Sequence, residues 1–302
     1  MIAGNSGMEL AAEILLSGII VTLAVFLAIT RRKLLRMKRS AKEIQNSVDR
    51  DIYESMSYAR RIQKATLPDI IRLQEFFEDV FIIFKPIEMV SGDFHWFSLV
   101  NGKIFLAVVD CQGHGVPGAF LSMMGNTLLN QIINEEKLFI PSEILSRINT
   151  KISHLLSGMG ENSHGKEIMH MGLCMVDYDT RKIRYAGAVH SLYFVNDGKF
   201  RELEGDSHAI GAKTENDELL PFRDHEIDIK GSLVLYMTSE GFNYEEASPD
   251  EHIESLQMIN LILKVGSMPF YEQQDAIIAE LEKYNYRKLQ TDDFTIIGVR
   301  VS

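Results

Sequence analysis

The sequence predicts an α+β fold built on antiparallel sheets, set behind one membrane-spanning helix and a helical stalk. Three observations predict it. Apolar and β-branched runs are joined by short turn signals at Asn101-Gly102, Asp179-Thr180 and Asp197-Gly198, which close hairpins rather than crossovers. The helical segments come in pairs between groups of strands, not one after each strand as βαβ units require. Between Ile14 and Thr30 there is no charged residue, and a basic cluster comes directly after it.

That uncharged run has about the length of a transmembrane helix, roughly 20 residues for a 30 Å hydrocarbon core. It extends back to Leu10 if Glu13 lies near the interface. A cleaved signal peptide would carry basic residues ahead of its apolar run, and residues 1–13 contain no Lys or Arg. Residues 31–39 hold six of the 31 basic residues and no acid, which by the positive-inside rule puts the C-terminal part of the chain in the cytoplasm. The expected order is a short extracytoplasmic N-terminus (1–9), a transmembrane helix (10–30), a basic juxtamembrane and helical linker (31–66) and a globular domain (67–302). The linker carries an apolar stripe, Ile44, Val48, Ile52, Met56, Ala59 and Ile62, at spacings of three and four. It fits a homodimeric signalling helix, and equally a stalk packed on its own domain; the spacing is too irregular to define a heptad seam.

Leu67-Pro68 ends the stalk. Strands are expected at 79–85, 94–100 and 103–110, then a helix over about 117–135 with Pro117 near its start, and a second at 142–156 after Pro141. Residues 157–167, rich in Gly, Ser and His, read as a loop. Strands recur at 169–177, 182–188, 191–196, 199–203, 225–229 and 232–238. Helices at 251–264 and 270–284 precede a last strand at 294–301.

Composition narrows the function classes. Removing the basic cluster leaves 25 basic against 42 acidic groups, so the globular part is strongly acidic. That argues against a nucleic-acid partner. The two cysteines, Cys111 and Cys174, form no CxxC pair, as expected of a reducing compartment.

Four short acidic motifs fall at predicted strand ends: Ser91-Gly92-Asp93-Phe94, Asp110-Cys111-Gln112-Gly113-His114-Gly115, Thr238-Ser239-Glu240-Gly241 and Thr291-Asp292-Asp293-Phe294. With Asn101 and Gly102 as the loop, pairing runs outward symmetrically and sets Asp93 opposite Asp110. Directly opposed residues have Cβ atoms about 4.5–5.5 Å apart, where like charges repel. Two facing carboxylates are tolerated when something positive lies between them, and a hard divalent cation with oxygen ligands is the natural candidate. Taken singly, each Asp reads as a turn or cap residue, and a bulge would move the pair out of register. The four together point to a metal site.

Asp110-Cys111-Gln112-Gly113-His114-Gly115-Val116-Pro117-Gly118-Ala119, preceded by Ser91-Gly92-Asp93-Phe94 and followed by Asp292-Asp293-Phe294-Thr295, resembles the bacterial metal-dependent serine/threonine phosphatases of the SpoIIE and stress-regulator type, within the PPM family. Ala59-Arg60-Arg61-Ile62-Gln63-Lys64-Ala65, then Leu67-Pro68, resembles the segment that opens these domains, so the resemblance covers about residues 59–302. It implies a sandwich of two antiparallel sheets flanked by helix pairs, with two Mn²⁺ or Mg²⁺ ions between the sheets. By resemblance, Asp110 bridges the ions, Cys111 offers its backbone carbonyl, Asp93 and Asp292 complete the cluster, and Asp293 supports Asp292 or shares its role. Such a cluster activates water and needs no nucleophilic side chain. Glu240 stands where relatives usually carry Asp as a ligand; its extra methylene lengthens the reach by roughly 1.5 Å. Met169-His170-Met171-Gly172 lacks an acid that some relatives carry, so no third ion is expected. His114 reads either as a general acid for the leaving oxygen or as a histidine packed in a glycine turn. No arginine is identified for the substrate phosphate.

The resemblance implies a phosphoserine/phosphothreonine phosphatase acting on a regulatory protein such as an anti-sigma-factor antagonist in a partner-switching pathway, and the apolar run with its basic flank adds the membrane anchor. Two other readings compete. Glu240 favours a pseudophosphatase that binds a phosphoprotein without turnover, and the retention of Asp93, Asp110 and Asp292 opposes it. Ser91-Gly92-Asp93-Phe94-His95 faintly suggests a nucleotide-cyclase hairpin, but Phe94 replaces the second acid of that motif.

Overall fold

No proline interrupts the chain before Pro68, and in the computed structural model a single helix, α1 (Asn5–Thr66), runs almost to that point. The structure describes residues 5–68, 70–113, 115–156, 169–196, 198–212, 218–239, 252–285 and 292–302. Contacts within the chain divide it into two units, Met1–Tyr58 and Ala59–Ser302. In the first unit, among the described residues, α1 is the one helix long and apolar enough to cross a membrane by length and composition. Its apolar side chains from Ile14 to Ile29 are exposed, and so are Ile44, Val48 and Ile52 of the stripe.

Among the described residues, the second unit holds ten strands in two antiparallel sheets. One sheet runs β1 (Val80–Lys85), β10 (Phe294–Val301), β9 (Leu233–Thr238), β6 (Leu192–Asn196), β7 (Lys199–Leu203). The other runs β2 (Phe94–Val100), β3 (Lys103–Cys111), β4 (Met169–Asp177), β5 (Lys182–Ala188), β8 (His225–Asp228). The expected turns at Asn101-Gly102 and Asp179-Thr180 close their hairpins, and Asp197 of the third lies outside the described residues. Asn101 and Gly102 both take positive φ, 50° and 74°, the backbone of a two-residue type I′ turn that only Asn and Gly reach cheaply. Between β4 and β5, Asp177 Oδ1 accepts the backbone N–H groups of Asp179 and Thr180 at 3.1 and 3.2 Å, and the Asp side chain thereby shapes its own turn.

Strand alternation builds four layers from two sheets. On β3, Ile104, Leu106 and Val108 face the other sheet, where they meet Leu192, Phe194, Leu235, Met237, Ile297 and Val299. The intervening Phe105, Ala107, Val109 and Cys111 face outward onto α3 (Gly115–Leu129) and α4 (Pro141–Leu156). On the far side, α5 (His252–Gly266) and α6 (Phe270–Asn285) cover Phe81, Tyr236 and Ile296. The expected single helix over 117–135 is instead α3 followed by a π-helical stretch, Asn130–Glu135. A polar ladder accompanies the wider turns: Asn130 Nδ2 donates to the Asn126 carbonyl at 2.8 Å, and Asn134 Nδ2 to Asn130 Oδ1 at 2.9 Å. The loop expected at 157–167 lies outside the described residues.

Candidate metal centre

The same alternation decides which functional side chains meet. Phe94 pairs with Val109 in the β2–β3 ladder, so one step outward Asp93 stands opposite Asp110, as the symmetric hairpin requires. Phe94 and Val109 point towards the helices; Asp93 and Asp110 therefore point between the sheets. Asp110 in turn pairs with His170 on β4, which places His170 on that same face. The site lies at one end of the seam.

Asp93 is 1% exposed. Its Oδ2 accepts two hydroxyls from the opposite sheet, Ser239 Oγ at 2.6 Å and Thr295 Oγ1 at 2.9 Å; neither uses Oδ1. Burial pushes the Asp93 carboxyl well above the ordinary carboxylate range, the Asp110 charge adds to the rise, and the two hydroxyls oppose it. A buried acid facing a second acid is a fit for a cation, which would stabilise both charges.

Asp293 is 3% exposed, and its carboxylate is occupied by the first motif. Oδ2 accepts Ser91 Oγ at 2.6 Å and the Gly92 N–H at 2.9 Å, while Oδ1 accepts the Ile87 N–H at 2.7 Å. It ties the loop that carries Asp93 to the start of β10. Asp292 is exposed, and its Oδ1 accepts the Asp293 N–H at 2.8 Å. The Cys111 thiol is buried on the helix side, and burial pushes its pKa up. Its carbonyl lies so close to Gly92 that a Cβ there would approach to 2.6 Å. His114 and Glu240 lie outside the described residues, as does Thr291.

Two residues outside the expected ligand set complete its surroundings. Gln63, near the end of α1 and inside the second unit, donates from Nε2 to the Ser91 carbonyl at 2.6 Å and accepts the Ser91 N–H on Oε1 at 3.1 Å. His190 lies between β5 and β6, where the chain passes from one sheet to the other. Ligand atoms of Asp110, His170 and His190 all lie within 4.8 Å of one another. Burial lowers the pKa of His170, and burial with the neighbouring His170 lowers that of His190 to about 3.

The sequence profile described as Stage II sporulation protein E (SpoIIE) matches residues 101–302, more than half of the chain. The chain belongs to the SpoIIE family. Phosphoserine phosphatase RsbU of Bacillus subtilis (strain 168) is 22% identical over 256 residues, 84% of this chain and 72% of that protein. The SiaA-PP2C domain of Pseudomonas aeruginosa superposes with a TM-score of 0.71 at 30% identity, covering 84% of this chain and 99% of that one. The PP2C phosphatase domain of SpoIIE from Bacillus subtilis shares the fold, with a TM-score of 0.58 at 18% identity over 74% of this chain and 63% of that one. The SpoIIE-family domain described here has the expected sandwich and is a metal-dependent serine/threonine phosphatase.

Proposed function

We propose that this SpoIIE-family phosphatase is anchored in the cytoplasmic membrane by α1, with its domain in the cytoplasm, and removes phosphate from serine or threonine of a regulatory protein. The observation that carries the chemistry is the pair Asp93 and Asp110, facing each other between the sheets with Asp93 buried and held by Ser239 and Thr295. The acidic motifs would hold two Mn²⁺ or Mg²⁺ ions through the carboxylates of Asp110, Asp93, Glu240 and Asp292 and the Cys111 carbonyl. Bound there, the ions supply an activated water and positive charge for the phosphoryl group in transfer.

The chain's own residues then have separate tasks. Ser239 and Thr295 hold Asp93 Oδ2 and so orient the carboxylate. Asp293, with its oxygens taken by the Ser91-Gly92 loop, supports the site rather than ligating. His114 is assigned as proton donor to the leaving oxygen. RsbU, a phosphoserine phosphatase by name, supports phosphoserine as substrate; an anti-sigma-factor antagonist is the kind of protein that would carry it. The anchoring rests on the apolar run of α1 and the basic residues 31–39 behind it.

The test is Mn²⁺-dependent hydrolysis of a phosphoserine peptide by the full chain in detergent, beside Asp110→Asn. The variant should lose more than the about 10–100-fold that a mere outer-shell partner costs. Metal-independent hydrolysis, or an unimpaired Asp110→Asn, would refute the assignment. Glu240→Asp should tighten Mn²⁺ binding if the longer side chain strains the ligand set, and an unchanged Kd would show that Glu240 ligates as well as Asp.

A further inference from the structure

We propose that Asp110, His170 and His190 form a nitrogen-rich cation site for a zinc-class ion (Zn²⁺, Fe²⁺ or Co²⁺), beside the carboxylate cluster and sharing Asp110 with it. Two imidazoles and one carboxylate are the donor set of catalytic zinc and non-haem iron centres, whereas Mg²⁺ prefers oxygen alone. The three ligand atoms already lie within 4.8 Å of one another, and tetrahedral zinc at about 2.1 Å from each would draw them to roughly 3.4 Å. The absence of an acid from Met169-His170-Met171-Gly172 argues against a third all-oxygen site. It does not argue against this one, because His170 replaces oxygen by nitrogen directly opposite Asp110.

His190 supplies the second, independent observation. It is 4% exposed, and neither ring nitrogen makes a hydrogen bond of full geometry, although a weaker interaction with the Val108 backbone remains. A buried imidazole with neither nitrogen fully hydrogen-bonded is costly unless something binds it. Its backbone is nonetheless held firmly. Tyr185 Oη donates to the His190 carbonyl at 2.7 Å, and a Cβ at Gly187 or Gly205 would collide with that carbonyl. The preceding Val189 has φ of 68°, a strained value for a β-branched residue that persists only where its surroundings impose it. The fold thus holds the buried ring in place edge-on to His170, ring centroids 5.8 Å apart. His170 and Asp110 are partly exposed, which leaves an ion a way in.

The test is zinc binding by the full chain in detergent, stripped with chelator and then kept in excess Mg²⁺ so that the carboxylate cluster is satisfied. X-ray absorption at the zinc edge should show scattering from two imidazoles. The zinc affinity should fall at least tenfold in both His190→Asn and His170→Phe, and persist in Asp93→Asn; groups that only orient ligands already act on a tenfold scale. Oxygen-only scattering in the wild type, or unchanged zinc affinity in both histidine variants, would overturn the site. The wild-type spectrum decides even if a variant fails to fold. Peptide hydrolysis is measured separately, in Mn²⁺ without zinc: no turnover there leaves a site with imidazole-bound zinc standing, and turnover there with oxygen-only zinc scattering overturns the site and leaves the phosphatase standing.

Discussion

Asp93 is where the site's energetics are most exposed to test. Its folded-state pKa lies above the unfolded value, so between the two the folded chain keeps a proton that the unfolded chain has lost. Stability from this group is therefore full below the unfolded carboxylate range and falls as pH rises towards the raised pKa. A cation reverses the penalty by taking the proton's place. Titrating the metal-free chain with Mn²⁺ at pH 5.5–6.5 in two buffers of different ionisation heat should give different apparent enthalpies. Asp93→Asn should remove the difference; equal enthalpies in the wild type would mean that Asp93 is already ionised. Asp293 makes a complementary prediction. Asp293→Asn turns an amide towards the donors of Ser91 and Gly92 on one oxygen or Ile87 on the other, and should cost about 1–3 kcal/mol of stability in a denaturant titration. A change below a few tenths would show that the loop is held by other contacts.

At the scale of elements, the site depends on backbones that touch. Gly92, Gly113 and Gly118 bring the Ser91–Asp93 loop, the end of β3 and the start of α3 together so closely that neither Gly92 nor Gly118 has room for a Cβ. Gly118→Ala must push these elements apart, at about 1–3 kcal/mol, and should weaken Mn²⁺ binding in parallel; unchanged Kd with lowered Tm would separate packing from metal geometry. Gln63 joins the last turns of α1 to the same loop through both polar atoms of its amide. Gln63→Ala leaves the buried Ser91 N–H without its side-chain acceptor and its carbonyl with the longer bond from Ser122 Oγ at 3.3 Å, again about 1–3 kcal/mol. If the loop positions Asp93 through this contact, Mn²⁺ affinity falls as well, whereas Gln63→Glu keeps the acceptor for Ser91 N–H and should recover part of the loss.

For the whole molecule, the sandwich places every metal-binding candidate that it describes at one end of the seam between two sheets, and the membrane assignment rests on α1 alone. The proposed topology predicts that protease added to intact spheroplasts leaves the domain from Ala59 to Ser302 protected, and digests it once they are lysed. Digestion without lysis would put the domain on the other side.

Much of this molecule is local, and local features can be read directly from sequence. The Asn101-Gly102 turn determines the β2–β3 register by itself, because both residues accept positive φ and the pleat then carries Asp93 to Asp110. The same holds for α1: an uninterrupted helical stretch with an uncharged run needs no partner to be recognised. What could not be read are neighbours separated by long excursions of chain. Between β3 and β4 the chain passes through α3 and α4, so the pairing of Asp110 with His170 comes from sheet assembly and not from any turn. His190 reaches the site because the chain crosses between sheets there, under a strained Val189 that no propensity would predict. In sequence Asp293 reads as a support or second ligand beside Asp292 and Gln63 only as part of the segment that opens the domain; packing shows both bound to the loop of Asp93. Turn chemistry and side-chain period determine which residues share a strand face, and those the chain encodes within a few residues. Which faces meet is decided by burial of the sheets against one another, a property of the whole fold.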